Sequence, residues 1–207
     1  MSHKAGFINI IGSPNVGKST LMNQILGEKL SIITSKKQTT RHRIMGIISE
    51  DEYQMVFSDT PGIIDPAYKL HESMMQYVDE AIKDADVILF VTDIYEKIDS
   101  LKERIELINK LSVPIILLIN KIDQSDQKSL ESLVGLWKEN LPNAQILPIS
   151  ALHGLSIDFI LPKIIEWLPV HPPYFEKDQL TNRNMRFFIA EIIREKILLL
   201  YQKEVPY

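Results

Sequence analysis

The chain has 207 residues, of which 45% are hydrophobic and 24% charged, with a formal net charge of −4 and no cysteine. These values suit a soluble globular chain with one full core and an extension. They exclude disulfides, thiolate metal sites and any global attraction to nucleic acid, so a nucleic-acid partner would have to use a local patch. The apolar run before Gly12 is too short for a signal-peptide core. No other run reaches the roughly 18 residues of a membrane span. The reading is a cytoplasmic protein.

Short apolar runs alternate with longer amphipathic ones. A strand is expected over Phe7–Ile11, then the loop GSPNVGKS (Gly12–Ser19), then a helix over Lys18–Leu26. The loop fits G-x-x-x-x-G-K-S in the strand-to-helix context that the motif requires. Its backbone N–H groups and the helix N-terminus can wrap phosphate oxygens, and Lys18 adds a full charge toward the β- and γ-phosphates. Ser19 places a hydroxyl where Mg²⁺ would sit. The candidate phosphate-binding residues here are Gly12, Ser13, Pro14, Asn15, Val16, Gly17, Lys18, Ser19 and Thr20.

Next come strands at Ile44–Ser49 and Tyr53–Ser58, joined by only Glu50, Asp51 and Glu52. So short a join forces an antiparallel hairpin. Asp59, Thr60, Pro61 and Gly62 follow, a second phosphate signal. Asp59 at a strand end can hold Mg²⁺ directly or through water, and the Gly62 N–H can approach a γ-phosphate. Ile63 stands next, where a glutamine would orient the attacking water, and it can orient nothing by hydrogen bonding. Slow intrinsic hydrolysis is therefore expected. Arg41 and Arg43 are candidate charge stabilisers.

A helix over Leu70–Lys83, a strand at Val87–Thr92, a helix over Ser100–Leu111 and a strand at Ile115–Ile119 lead to Asn120-Lys121-Ile122-Asp123. The Asp123 carboxylate can accept the paired N1–H and NH₂ of guanine, a donor pair that adenine lacks. The Lys121 stem can lie over the base, and Asn120 can tie loops together. A helix over Gln127–Asn140 and a strand at Gln145–Ile149 bring in Ser150 and Ala151, whose backbone could bond the guanine carbonyl. Three loops at the carboxyl ends of parallel strands would then share one crevice. The expected ligand is GTP or GDP. The expected fold is α/β: a six-stranded, mixed but mostly parallel sheet with helices on both faces, of the P-loop NTPase kind.

A helix over Ile157–Leu168 closes this unit. Pro169–Asn182 reads as a linker, and Phe187–Tyr201, eleven of its fifteen residues apolar, reads as a terminal helix that needs a partner. One alternative is that it docks on the nucleotide-binding unit as an extra helix. Another, a membrane-surface helix, is disfavoured by its balanced charge.

With these motifs in this order, GSPNVGKST, QTTRHR (Gln38–Arg43), DTPG, NKID and ISA, the chain resembles the translation-factor-related GTPases, and within them the Era family of bacterial ribosome-assembly GTPases. Era shares the His42 after Arg41, where other relatives usually have aspartate. The tail residues Glu191–Lys196 resemble the first helix of that family's KH domain, and K-E-V-P-Y continues the match. The resemblance implies a Ras-like G domain over residues 1–168, a linker over 169–182 and the start of a truncated KH-like RNA-binding domain over 183–207. It also implies a switch segment including Gln38, Thr39, Thr40, Arg41 and His42, with Thr40 rather than Thr39 joining Ser19 and Asp59 around Mg²⁺. Lys18, Thr40 and Gly62 are the expected catalytic groups.

The implied function is a slow GTP-hydrolysing switch that binds 16S ribosomal RNA and the 30S subunit through a full KH domain. The alternative is a tRNA-modification type of GTPase in which turnover itself matters. The resemblance further implies a monomer with peripheral association at the inner face of the cell membrane. Asn15, with carbonyls of Ser35–Thr39, is a candidate ligand set for K⁺, as in relatives sharing this asparagine.

Overall fold

The computed structural model describes residues 2–36, 38–64 and 66–201. Apolar runs rich in isoleucine, leucine and valine make its strands, as expected for a sheet covered on both faces. Strands β1 (Lys4–Gly12), β2 (Ile44–Ser49), β3 (Tyr53–Asp59), β4 (Val87–Asp93), β5 (Ile115–Asn120) and β6 (Gln145–Pro148) form one sheet in the order β2-β3-β1-β4-β5-β6. β2 and β3 pair antiparallel, as their short join dictates. The other neighbours are parallel. β1 starts earlier than its apolar run, because Lys4, Ala5 and Gly6 pair with Tyr53, Gln54 and Met55.

Among the described residues, six α-helices follow the sequence pattern: α1 (Lys18–Leu26), α2 (Lys69–Lys83), α3 (Lys102–Asn109), α4 (Gln127–Asn140), α5 (Ile160–Trp167) and α6 (Met185–Leu200). α1 and α4 have the predicted bounds. α3 and α5 begin later than predicted because their first turns wind as 3₁₀, at Ile98–Leu101 and Ile157–Phe159. Alternate strand residues serve two cores. Ile8, Ile10, Leu89 and Val91 meet Leu21, Met22, Ile160 and Ile164 on the α1/α5 face. Ile11, Ile88 and Phe90 meet Val78, Ile105, Ile108 and Trp137 on the α2/α3/α4 face. From β1 the chain turns to β3 on one side and β4 on the other, and the crevice at such a switch point is where ligands bind.

The proline-rich stretch is strapped down rather than free. Ala5 N–H donates to Pro169 O at 3.1 Å, and Ile47 N–H to Leu180 O at 2.9 Å. Short antiparallel bridges join Lys4 to Val170 and Gly46 to Thr181. Gln54 Oε1 accepts the Tyr174 and Phe175 N–H groups at 2.7 and 3.0 Å. The Ile47 and Gly46 contacts satisfy part of the open edge of β2.

α6 starts at Asn184, whose Oδ1 accepts the Phe187 N–H at 3.0 Å. It lies against the segment between α1 and β2, and its orientation reverses the usual one. Glu191, Glu195 and Leu198 are buried, while Ile189, Ile192, Ile193, Leu199 and Leu200 are exposed. The terminal K-E-V-P-Y lies outside the described residues. Among the described residues no helix is long and apolar enough to cross a membrane.

Candidate nucleotide-binding site

A crevice of about 420 Å³ opens at the carboxyl ends of the strands, and its wall includes Lys18, Ser19, Thr40, Gly62, Lys121 and Asp123. The phosphate loop takes its shape from backbone conformations that few residues adopt. Gly17 has φ +100°, and a Cβ there would lie 2.2 Å from Asn120 Nδ2. Asn120 uses that approach. Its Nδ2 donates to Val16 O at 2.7 Å, while its Oδ1 accepts the N–H groups of Lys121 and Ala151 at 2.8 and 2.9 Å. One buried amide thus ties the phosphate loop to the loops after β5 and β6.

Lys18 Nζ donates to Gly12 O and Ser13 O at 3.1 and 2.8 Å. Burial pulls its pKa down to about 8, although Asp59 and Glu96 favour the charged form. Ser19 Oγ lies 2.6 Å from Asp59 Oδ2 and 2.9 Å from Thr40 Oγ1. Thr40 Oγ1 donates to the same Asp59 oxygen at 3.3 Å. The other Asp59 oxygen is buried with no hydrogen-bond partner. Burial pushes the Asp59 carboxyl up, against the pull of Ser19 and Lys18. Two hydroxyls and a carboxylate with a spare buried oxygen are an oxygen-only donor set, which fits a small hard cation such as Mg²⁺ that shares its shell with phosphates. The Thr39 hydroxyl turns away, to Thr34 and to Lys36 O.

At the far end, Asp123 Oδ1 accepts the Ser150 hydroxyl at 2.5 Å, which holds its carboxyl below the usual range. His153 Nε2 lies 3.8 Å from Oδ2. Lys121 stands at φ +65° with Nζ on Asp93 Oδ2 at 2.5 Å and Asn15 O at 3.0 Å, so its stem spans the crevice wall. The Ser150 N–H donates to Leu155 O, and the Ala151 N–H to Asn120 Oδ1. A guanine carbonyl at this loop would share the Ala151 donor.

Other expected residues sit behind the wall. Thr60 Oγ1 donates to Ile10 O at 2.7 Å, and Val16 is in the core. The Ile63 side chain packs on the α2/α3/α4 core. Arg43 is turned to structural work. Its guanidinium meets Ser58 Oγ at 3.0 Å, Asn9 Oδ1 at 3.1 Å and both Asp84 oxygens at 2.5 and 3.0 Å. A guanidinium so engaged anchors the end of the switch segment and leaves no fork for phosphate. Asn15, at φ +63°, donates through Nδ2 to Ser35 O at 3.0 Å. Gln38 Oε1 meets His71 Nε2 at 2.8 Å, and the His42 ring lies 5.9 Å from that of Phe187.

The chain matches the 50S ribosome-binding GTPase family over residues 7–121. It is 45% identical over 208 residues to the GTPase Era of Alkaliphilus metalliredigens, spanning 100% of this chain and 70% of that one. The chain belongs to the Era family of GTPases. An Era of Clostridium botulinum is 43% identical over 212 residues, spanning 99% of this chain and 69% of its own length. Two solved Era structures superpose with a TM-score of 0.90. One, in complex with MgGDPNP and nucleotides 1506–1542 of 16S ribosomal RNA, is 38% identical and spans 99% of this chain and 70% of that one. The other, an Era variant from Aquifex aeolicus bound to GDP and AlF₄⁻, is 39% identical and spans 98% and 70%.

Some contributors to this Era-type site carry no motif. Asp93, which holds Lys121, is signalled only by its place at the end of β4, in register with Asn120. Arg104 of α3 reaches Ser13 and Ile63, and its signal is an arginine on the buried stripe of Leu101, Ile105 and Ile108. Arg194 of α6 donates to Thr39 O at 2.7 Å, beside Thr40.

Proposed function

We propose that the chain binds GTP and GDP, hydrolyses GTP slowly to GDP and phosphate, and acts as a switch in small-subunit ribosome assembly through 16S ribosomal RNA. The observation that carries this is the single crevice with Ser19, Thr40, Asp59 and Lys18 at one end and Asp123 at the other. Asp123 would accept the paired donors of guanine through Oδ2, with Ser150 holding Oδ1. The main chain of residues 12–20 and of Gly62 would surround the phosphates, with Lys18 neutralising charge. Ser19, Thr40 and Asp59 would hold Mg²⁺, which supplies charge neutralisation between phosphates. Thr40 belongs to the switch segment, so its closure onto Ser19 would depend on the terminal phosphate.

The Ile63 side chain, next after Gly62, packs against the core and offers no hydrogen bond to water, which supports a slow intrinsic rate. We extend the proposal to K⁺. A 180° turn of the Asn15 amide exchanges Nδ2 for Oδ1, aiming an oxygen beside the Ser35 carbonyl. Single-turnover hydrolysis should then be faster in KCl than in NaCl, and the difference should vanish in Asn15→Ala. Equal wild-type rates in both salts would remove K⁺ from the account.

Residues 183–207 we assign to the first helix of a KH-like domain, on the resemblance of Glu191–Lys196 and the exposed apolar side of α6. RNA binding would fall chiefly to the remainder of such a domain. The relatives named above are Era proteins, which favours the assembly switch over a tRNA-modification enzyme. The test is fluorescence anisotropy with RNA of the 16S 3′ end. Residues 1–207 should bind weakly, and a chain extended by an Era KH domain should bind more tightly with GDPNP than with GDP. Tight, nucleotide-independent binding by residues 1–207 would contradict the assignment.

A further inference from the structure

Helix α3 carries one cation on its buried stripe. Leu101, Ile105 and Ile108 fix that stripe in the core, and Arg104 falls between them at helical spacing. Its guanidinium forks. Nη1 donates to Ser13 Oγ at 2.6 Å and Nη2 to Ile63 O at 2.9 Å. Ser13 belongs to the phosphate loop, and Ile63 follows Gly62 after β3. These two segments also touch directly. The Ile63 N–H donates to Gly12 O at 3.0 Å. A Cβ on Gly62 would lie 2.7 Å from Pro14.

We propose that Arg104 is a positioning residue for GTP hydrolysis, holding the Gly62–Ile63 backbone against the phosphate loop. This rests on reading the site as a GTPase. The Ile63 side chain packs against the core, and of this pair it is Gly62 that lines the crevice. Main chain in a loop holds a catalytic position only when rigid elements fix it. Arg104 supplies that restraint from a packed helix, through two charge-assisted hydrogen bonds. A lysine has one point of charge and cannot span both acceptors, so the fork is specific to arginine. Nucleotide affinity rests mainly on Lys18, the loop N–H groups and Asp123; Arg104 meets the phosphate loop at the Ser13 hydroxyl, and its charge disfavours the Lys18 ammonium rather than supporting it. Its loss should therefore slow hydrolysis and leave affinity nearly intact.

The test pairs single-turnover GTP hydrolysis with GDP and GDPNP titrations. Arg104→Ala should hydrolyse about 10- to 100-fold more slowly, in the range lost with one preorganising contact. Its GDP affinity should change by less than about 3-fold, since ground-state binding is separate from the hydrolytic step. Arg104→Lys should fall between, and added guanidinium ion should restore part of the Arg104→Ala rate. Ser13→Ala removes one arm, and combining it with Arg104→Ala should slow the reaction no further than Arg104→Ala alone. Wild-type rates in Arg104→Ala would overturn the proposal, as would losses of GDP affinity in step with rate. If Arg104→Ala does not fold, a folded Arg104→Lys at the wild-type rate overturns it equally. Absence of hydrolysis in the wild type would instead overturn the GTPase reading itself.

Discussion

Lys18 holds a buried ammonium against two carbonyl oxygens. Its pKa falls from 10.5 to about 8, chiefly through burial. The folded state therefore releases this proton before the unfolded chain does. Stability should rise as pH climbs from about 8 to 10.5, and at neutral pH the buried charge costs the empty site about 3 kcal/mol. Phosphates reverse that balance by favouring the charged form. GDP affinity should be flat from about pH 6.5 to 7.5 and fall toward tenfold per unit above about 8, where binding must take up a proton. Calorimetry in buffers of different ionisation enthalpy reads both the affinity and the proton uptake. Constant affinity through about pH 9.5 would contradict the burial of this charge. Ser19 offers a second residue-scale check. Ser19→Ala should weaken GDP binding more in Mg²⁺ than in its absence, because its hydroxyl belongs to the oxygen cluster with Thr40 and Asp59. Equal losses in both titrations would remove Ser19 from the cation site.

At the scale of elements, α6 is a strap over the switch segment. Glu195 accepts Lys29 Nζ at 2.8 Å and the Ile33 N–H at 3.0 Å. Burial pushes its carboxyl up, but these donors outweigh burial and hold it below the ordinary range. Arg194 pairs with Glu191 at 2.5 Å while donating to Thr39 O. Lys36 Nζ reaches Tyr201 O at 2.9 Å. Removing Glu195 leaves the Ile33 N–H and the Lys29 charge without their acceptor, a local cost of roughly 1–3 kcal/mol. Glu195→Ala should speed amide exchange across residues 29–40 by about tenfold or more, and leave β1, β4 and β5 protected. Unchanged protection in 29–40 would show that the strap does not restrain the switch. This element also marks a limit of sequence pattern. Eleven apolar residues imply an apolar docking face, yet the segment under α6 offers Lys29, the Ile33 N–H and Thr39 O, and the helix buries its glutamates there beside Leu198. The partner surface, and not the helix's own composition, decides which face turns inward.

Across the whole molecule, the legible parts were those set by local chemistry. β1, β4 and β5 read as strands because apolar runs buried on both faces are long and unbroken. The phosphate loop and Asn120–Asp123 read as ligand loops because few residue types meet those demands. Contacts made across the sheet were not legible. Gln54, alternating with apolar neighbours in β3, gives no sign that it holds residues 174 and 175. Arg43 sits in a basic run suggestive of phosphate, and only the fold brings Asn9, Ser58 and Asp84 to it. The central claim is that these loops assemble one guanine-nucleotide crevice, and calorimetric titration of GTP against ATP in Mg²⁺ tests it most directly. GTP should bind at least about 10³-fold more tightly, because adenine leaves the Asp123 carboxylate unpaired. Asp123→Asn should weaken GTP and admit xanthosine triphosphate, whose carbonyl and N1–H suit an amide. Equal affinity of the wild type for GTP and ATP would contradict the account.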